Sequence, residues 1–174
     1  LFACTVSDKV LDALKMGLVD KKQRKAWTVA LGNQVQKNRA LVTDAVVPSL
    51  ESLLEECISA PLPSIANKLI DGGYAAVVVL HHLGRSELLP RTLYDTEKPA
   101  IVTNFKVYGK LATEDEQEWF VRALDALADQ LSGPLLEFGY TWLYVLTSTV
   151  IVGAVRRLGL ELLSNSCRTN QEFV

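Results

Sequence analysis

His81 and His82 are the only two histidines in the chain, and no Cys, Asp or Glu stands near them at ligand spacing. Neighbours on a helix point about 100° apart, so this pair cannot close on one metal ion, and structural histidines are expected. The carboxylates Glu114, Asp115, Glu116 and Glu118 cluster where a helix should begin, and there the macrodipole already favours negative charge. A solvated helix start accounts for them without acid–base chemistry. Asp71-Gly72-Gly73 is too short for a phosphate loop, neither G-x-x-x-x-G-K-[ST] nor G-x-G-x-x-G occurs, and Ser148 has no nucleophile signature around it. Cys4, Cys57 and Cys167 are odd in number and far apart, which suits neither a disulfide framework nor a C-x-x-C metal site and points to a reducing interior. The expectation is a protein without enzymatic activity, metal or cofactor.

The totals agree with a folded domain. Of 174 residues, 49% are hydrophobic and 22% charged, which argues against disorder. Lys plus Arg is 18 against 20 for Asp plus Glu, so no basic excess exists to drive binding along a phosphate backbone, and nucleic acid is not an expected partner. No basic region followed by a long apolar run opens the chain, so no secretory signal is expected and an intracellular location follows.

Helical spacing dominates the elements that would position these residues. Ser7 can cap a helix through Val10, Leu11, Leu14 and Met16 that ends at Gly17. A polar link over 20–25 leads into a second pattern, Trp27, Leu31 and Val35, then Val42, Val46 and Val47. Pro48 suits the first turn of a third helix carrying Leu50, Leu53, Leu54, Cys57 and Ile58. Ser64 to Ile70 reads as a short helix stopped by Asp71-Gly72-Gly73. The uncharged run from Tyr74 to Leu83 fits a buried strand or a buried helix equally. A further helix is expected from near Pro99 through Ile101, Val102, Phe105 and Tyr108. Thr113 and Glu116 form a capping box that opens an amphipathic helix through Trp119, Phe120, Leu124, Leu127 and Leu131. The fold class expected is all-α, a bundle of about eight or nine helices around a central hydrophobic hairpin.

One stretch bears on membranes. Phe138 to Val155 carries no charge over 18 positions before Arg156 and Arg157. As a helix it reaches about 27 Å, slightly short of the ~30 Å hydrocarbon core, so a helix packed on the body and a membrane anchor both fit. The organisation expected is a helical domain over 1–135, this apolar helix over 136–165 and a tail over 166–174.

Binding chemistry is better supported than catalysis. A helix-in-groove site needs a trough of aliphatic side chains from several helices, and Leu31, Val35, Val42, Val46, Leu50, Leu54, Leu69, Val78 and Leu83 supply either such a trough or plain core. Three segments in order resemble the Bcl-2 family of apoptosis regulators. Leu31, Gly32, Asn33 and Val35 stand where its third homology motif reads apolar-Gly-Asp-x-apolar. The run 69–84, with Asp71, Gly72, Tyr74 and Ala76, is similar to its first motif, and Glu118-Trp119-Phe120-Val121-Arg122 to the start of its second. Gly32 to Tyr74 and Tyr74 to Trp119 are 42 and 45 positions apart, close to the family's spacing. The chain departs at Asn33 for Asp, Tyr74 for Trp, and Ala75-Ala76 for the Gly-Arg whose guanidinium meets the guest's Asp; Ala126 stands where a second Trp belongs. Divergence on this scale suits a viral or distant invertebrate member.

The resemblance implies a groove lined by Val35, Arg39, Val42, Val46, Leu69, Tyr74, Val78 and Leu83 that takes amphipathic death-motif helices of pro-apoptotic proteins. It also implies restraint of cell death, a place in the cytoplasm or at the mitochondrial outer membrane, and membrane contact through Phe138–Val155. A homodimer would place a second copy in that groove. Two other readings stand beside it: a pore-forming pro-death member, and an unrelated α-helical membrane-associated or assembly subunit.

Overall fold

The structure, a computed structural model, describes residues 16–17, 20, 22–37, 44–60, 64–93, 113–128 and 151–169. It is all-helical, with no strand among the described residues. Among the described residues five helices run nine residues or longer: α1 Arg24–Lys37, α2 Val47–Ile58, α4 Tyr74–His82, α5 Glu114–Ala128 and α6 Gly153–Thr169. A five-residue helix, α3 Ser64–Lys68, stands between α2 and α4. The expected count of eight or nine is therefore not supported. Single 3-10 turns occur at Asp44–Val46, Ser86–Leu88 and Arg91–Leu93. Of the expected helix ending at Gly17 only Met16 and Gly17 are described, both helical; the one expected from near Pro99, like most of the apolar stretch from Phe138, falls outside the described residues.

The ambiguous run after Gly73 is a helix. Tyr74 through Leu80 are all buried, so α4 has no solvent face until His81 and His82. Such a helix needs neighbours on every side. α1, α2 and α5 supply them, and α6 packs on the outside of α5. Phe120, Leu50, Leu54, Leu69, Leu80, Leu124 and Leu127 fill the space between, all fully buried. Burying each such side chain contributes roughly 1.5–3 kcal/mol.

Local signals behave as their chemistry requires. Pro48 sits in the first turn of α2, where its missing N–H has no intrahelical partner to lose. The Thr113 amide donates to Glu116 Oε2 at 2.8 Å while the Glu116 amide donates to Thr113 Oγ1 at 3.3 Å, a complete capping box at the head of α5. Asp71-Gly72-Gly73 does not end the helical path as expected; it bends it. Leu69–Gly73 forms a wide π-type turn joining α3 directly to α4, with Asp71 at φ −81°, ψ 40° and Gly72 at φ 108°. Only glycine takes that last conformation without strain. A Cβ there would also lie 3.3 Å from Thr28 Oγ1 and 3.5 Å from the Lys25 Cα, so the bend is pressed onto α1.

Candidate docking cleft and its ionic frame

The bend, one stripe of α1 and the head of α5 enclose a half-open cleft of about 590 Å³. Lys22, Lys25, Ala26, Val29 and Asn33 share one side of α1 and its approach, three and four residues apart. Asp115, Glu118 and Trp119 face them from the first turns of α5, and Ile70, Asp71 and Gly72 close the third side. Lys25 Nζ pairs with Glu116 Oε1, tying the two walls together. Burial pushes the Glu116 carboxyl up, but donation from Lys25 and from the Thr113 amide outweighs it, and the net shift is downward.

The floor is Trp119, 9% exposed, lying on Gly32. A Cβ at Gly32 would stand 2.4 Å from Cη2 and 2.8 Å from Cζ3 of the indole. Gly32→Ala is therefore expected to cost about 1–2 kcal/mol, low in the range for overpacking because the ring edge can swing into the cleft. Chemical denaturation measures the loss, and a shift of Trp119 resonances reports the ring movement.

Behind the cleft stands a buried cation. Arg24 is 6% exposed, on the same stripe of α1 as Thr28, Leu31 and Val35. Its Nη1 donates to Glu56 Oε2 on α2 at 2.7 Å, and Lys68 at the end of α3 donates to Glu56 Oε1 at 3.1 Å. Its Nε lies 4.0 Å from Asp71 Oδ2, too far to bond, and is buried without a hydrogen-bond partner. Donation from Arg24, and secondly from Lys68, holds the Glu56 carboxyl down at about 2. One ionic frame thus ties α1, α2 and α3, with Asp71 of the bend at its edge.

Cys57 lies inside this frame. It is fully buried, and its Sγ donates to the Lys68 carbonyl at 3.3 Å. Burial pushes its thiol up to about 12. Native protein is expected to resist iodoacetamide at Cys57 at neutral pH and to react there only on unfolding, as read by mass spectrometry; labelling at the pace of a free thiol contradicts this burial.

The residues singled out from the sequence separate into three places. Val35, Val46, Leu69 and Val78 are core side chains, Leu83 is half-buried at the end of α4, and Arg39 and Val42 fall outside the described residues. Tyr74 is buried with its ring edge-on to Phe120 at 5.3 Å, and burial pushes its hydroxyl well above the usual phenol range. Of the motif positions, Leu31, Gly32, Gly72 and Ala76 are buried, Asp71 is half-buried, and Asn33 and Trp119 line the cleft. The His81 and His82 rings stand edge-on at 5.7 Å, with His81 Nδ1 3.2 Å from Ser86 Oγ. Sequence motifs do not reveal Arg24, Lys25 and Glu56, although Thr28, Leu31 and Val35 at i+4, i+7 and i+11 from Arg24 mark that arginine as facing inward.

A family model described as General control nonderepressible 1 (Gcn1) N-terminal matches residues 3–174. Comparison with curated proteins and with solved structures finds no match. The family match overturns the resemblance to the Bcl-2 family, because it spans the whole stretch that carried that resemblance. Restraint of cell death, the pore-forming variant and capture of pro-apoptotic helices fall with it. The physical reason for the misleading pattern is visible. Gly32 is small because Trp119 rests on it, and Gly72 is glycine because the bend demands positive φ. Close packing of helices, not a death-motif groove, sets those positions. No helix among the described residues is long and apolar enough to cross a membrane.

Proposed function

The chain belongs to the Gcn1 N-terminal family, and from that premise we propose that it serves translation control as a helical assembly module, holding partners together without catalysing a reaction. The reading retains one of the three sequence-based alternatives, an assembly subunit, and gives it a context. The observation that carries it is the match across 3–174, nearly the full chain. The ionic frame supports it as well. Its charged groups are spent on one another across helices, which suits a rigid support more than a poised acid or base.

The partners proposed are the ribosome and Gcn2, in place of amphipathic death-motif helices. Such a role places the chain inside the cell with the translation machinery. Sedimentation of the purified chain with ribosomes, alongside a pull-down with purified Gcn2, tests the reading. Co-sedimentation or capture that survives washing supports it. A chain that remains in the supernatant and captures no Gcn2, while folded by circular dichroism, overturns it.

A further inference from the structure

We propose that the cleft between α1 and the head of α5 docks a short partner segment in which one leucine- or phenylalanine-sized side chain is flanked by arginine or lysine. The proposal rests on the assembly-module reading and names what that module's cleft selects.

The cavity comes first. At about 590 Å³ it lies in the range of sites that hold a ligand, and it has room for a large side chain with its backbone. Its deep part is apolar, with Trp119 at the floor and the half-buried Val29 and Ile70 beside it. Such a surface gains from covering and gives the guest a place for one large anchor.

Charge then decides the flanks. Two lysines line the cleft against four carboxylates. Lys25 is already engaged by Glu116 and Glu118 is paired on one oxygen with Arg122, which leaves Lys22 facing Asp71 and Asp115. Asp115 has no ion-pair partner among the described residues. Both bonds from Arg122 to Glu118 end on Oε1, so Oε2 keeps its accepting capacity. Asp71, 46% exposed at its side chain, has only the Arg24 Nε at 4.0 Å. Asp115 and Glu118 lie three apart on α5, on the face that also carries Trp119, so a cation beside an inserted anchor meets both. An acidic flank would meet the same carboxylates and be repelled.

The probes are two fluorescein-labelled peptides, a leucine-centred one flanked by arginines and its glutamate-flanked twin, titrated into the full chain by fluorescence polarisation. The arginine peptide is expected to bind about tenfold or more tightly than its twin, and to weaken as salt is raised. Asp115→Lys combined with Glu118→Lys should abolish the preference. Asp115→Asn with Glu118→Gln, which leaves no new charge at the helix start, should reduce it about threefold or more. Equal binding of the twins, or an unchanged preference in both folded variants, overturns the proposal. So does self-association that these substitutions abolish, since a second copy would then be the occupant. Ribosome sedimentation on the same samples separates the two readings. Sedimentation without peptide preference sinks the cleft assignment alone, and preference without sedimentation or Gcn2 capture sinks the translation-control partners alone.

Discussion

Phe120→Ala is expected to lower the stability of the fold by about 3–5 kcal/mol, the cost of emptying an aromatic site in a packed core. Phe120 has no exposed surface and stands where α5 crosses α4, its ring edge-on to Tyr74 at 5.3 Å and 69°. Between Tyr74 and Leu80 the buried residues of α4 are all alanine or valine, Ala75 to Val79, short side chains held by their own helix that cannot reach across to fill the space. The edge-on aromatic pair is lost together with the buried area. Guanidinium titration should show a lower midpoint at unchanged slope. A loss below about 1 kcal/mol would mean that α5 does not sit against α4 as described.

Arg24→Ala is expected to cost about 2–3 kcal/mol and to change how stability responds to acid. Removing a buried member of an ion pair usually costs more than this. Here Glu56 has 36% of its side chain exposed and keeps Lys68, so the partner left behind is not stranded. Lost packing of the arginine stem between α1 and α2 makes up much of the effect. The acid response follows from the carboxyl. Glu56 sits near 2 in the folded chain against an ordinary 4.5, so its pairing stabilises the fold at higher pH, and that contribution disappears as pH falls from about 4.5 toward 2. Arg24→Ala removes the first cause of the depression and should flatten this part of the curve. Stability measured by denaturant across that window decides it, and an acid response identical to the parent contradicts the assigned pairing.

How far the sequence led is visible at particular residues. The capping box of Thr113 and Glu116 was legible because both its bonds lie within four residues, and Pro48 for the same local reason. The helical state of 74–82 was not, since an uncharged run gives neither the alternation of a strand nor the stripe of a helix. What decides it is enclosure by α1, α2 and α5, which is a property of the assembled chain. The cleft was out of reach for a related reason. Lys25 and Glu116 are 91 positions apart, and nothing in either neighbourhood announces the other. Gly32 and Trp119 stand out in the sequence as elements of a binding motif, whereas in the structure each fits the other. Glycine-and-apolar spacing is shared by many tightly packed helix pairs, so it supports a helical fold far better than it identifies one family.

The enclosure of α4 has a consequence for how this protein is made. α4 packs against α1 and α2, which are synthesised before it, and against α5, which begins only at Glu114. Until α5 emerges the nascent chain therefore lacks one of the helices that enclose α4, and a fragment that stops short of it leaves that apolar face without this cover. Truncations within the first 113 residues should accordingly aggregate, and trimming from the far end should spare α6, whose buried Val155 and Leu163 belong to the same core.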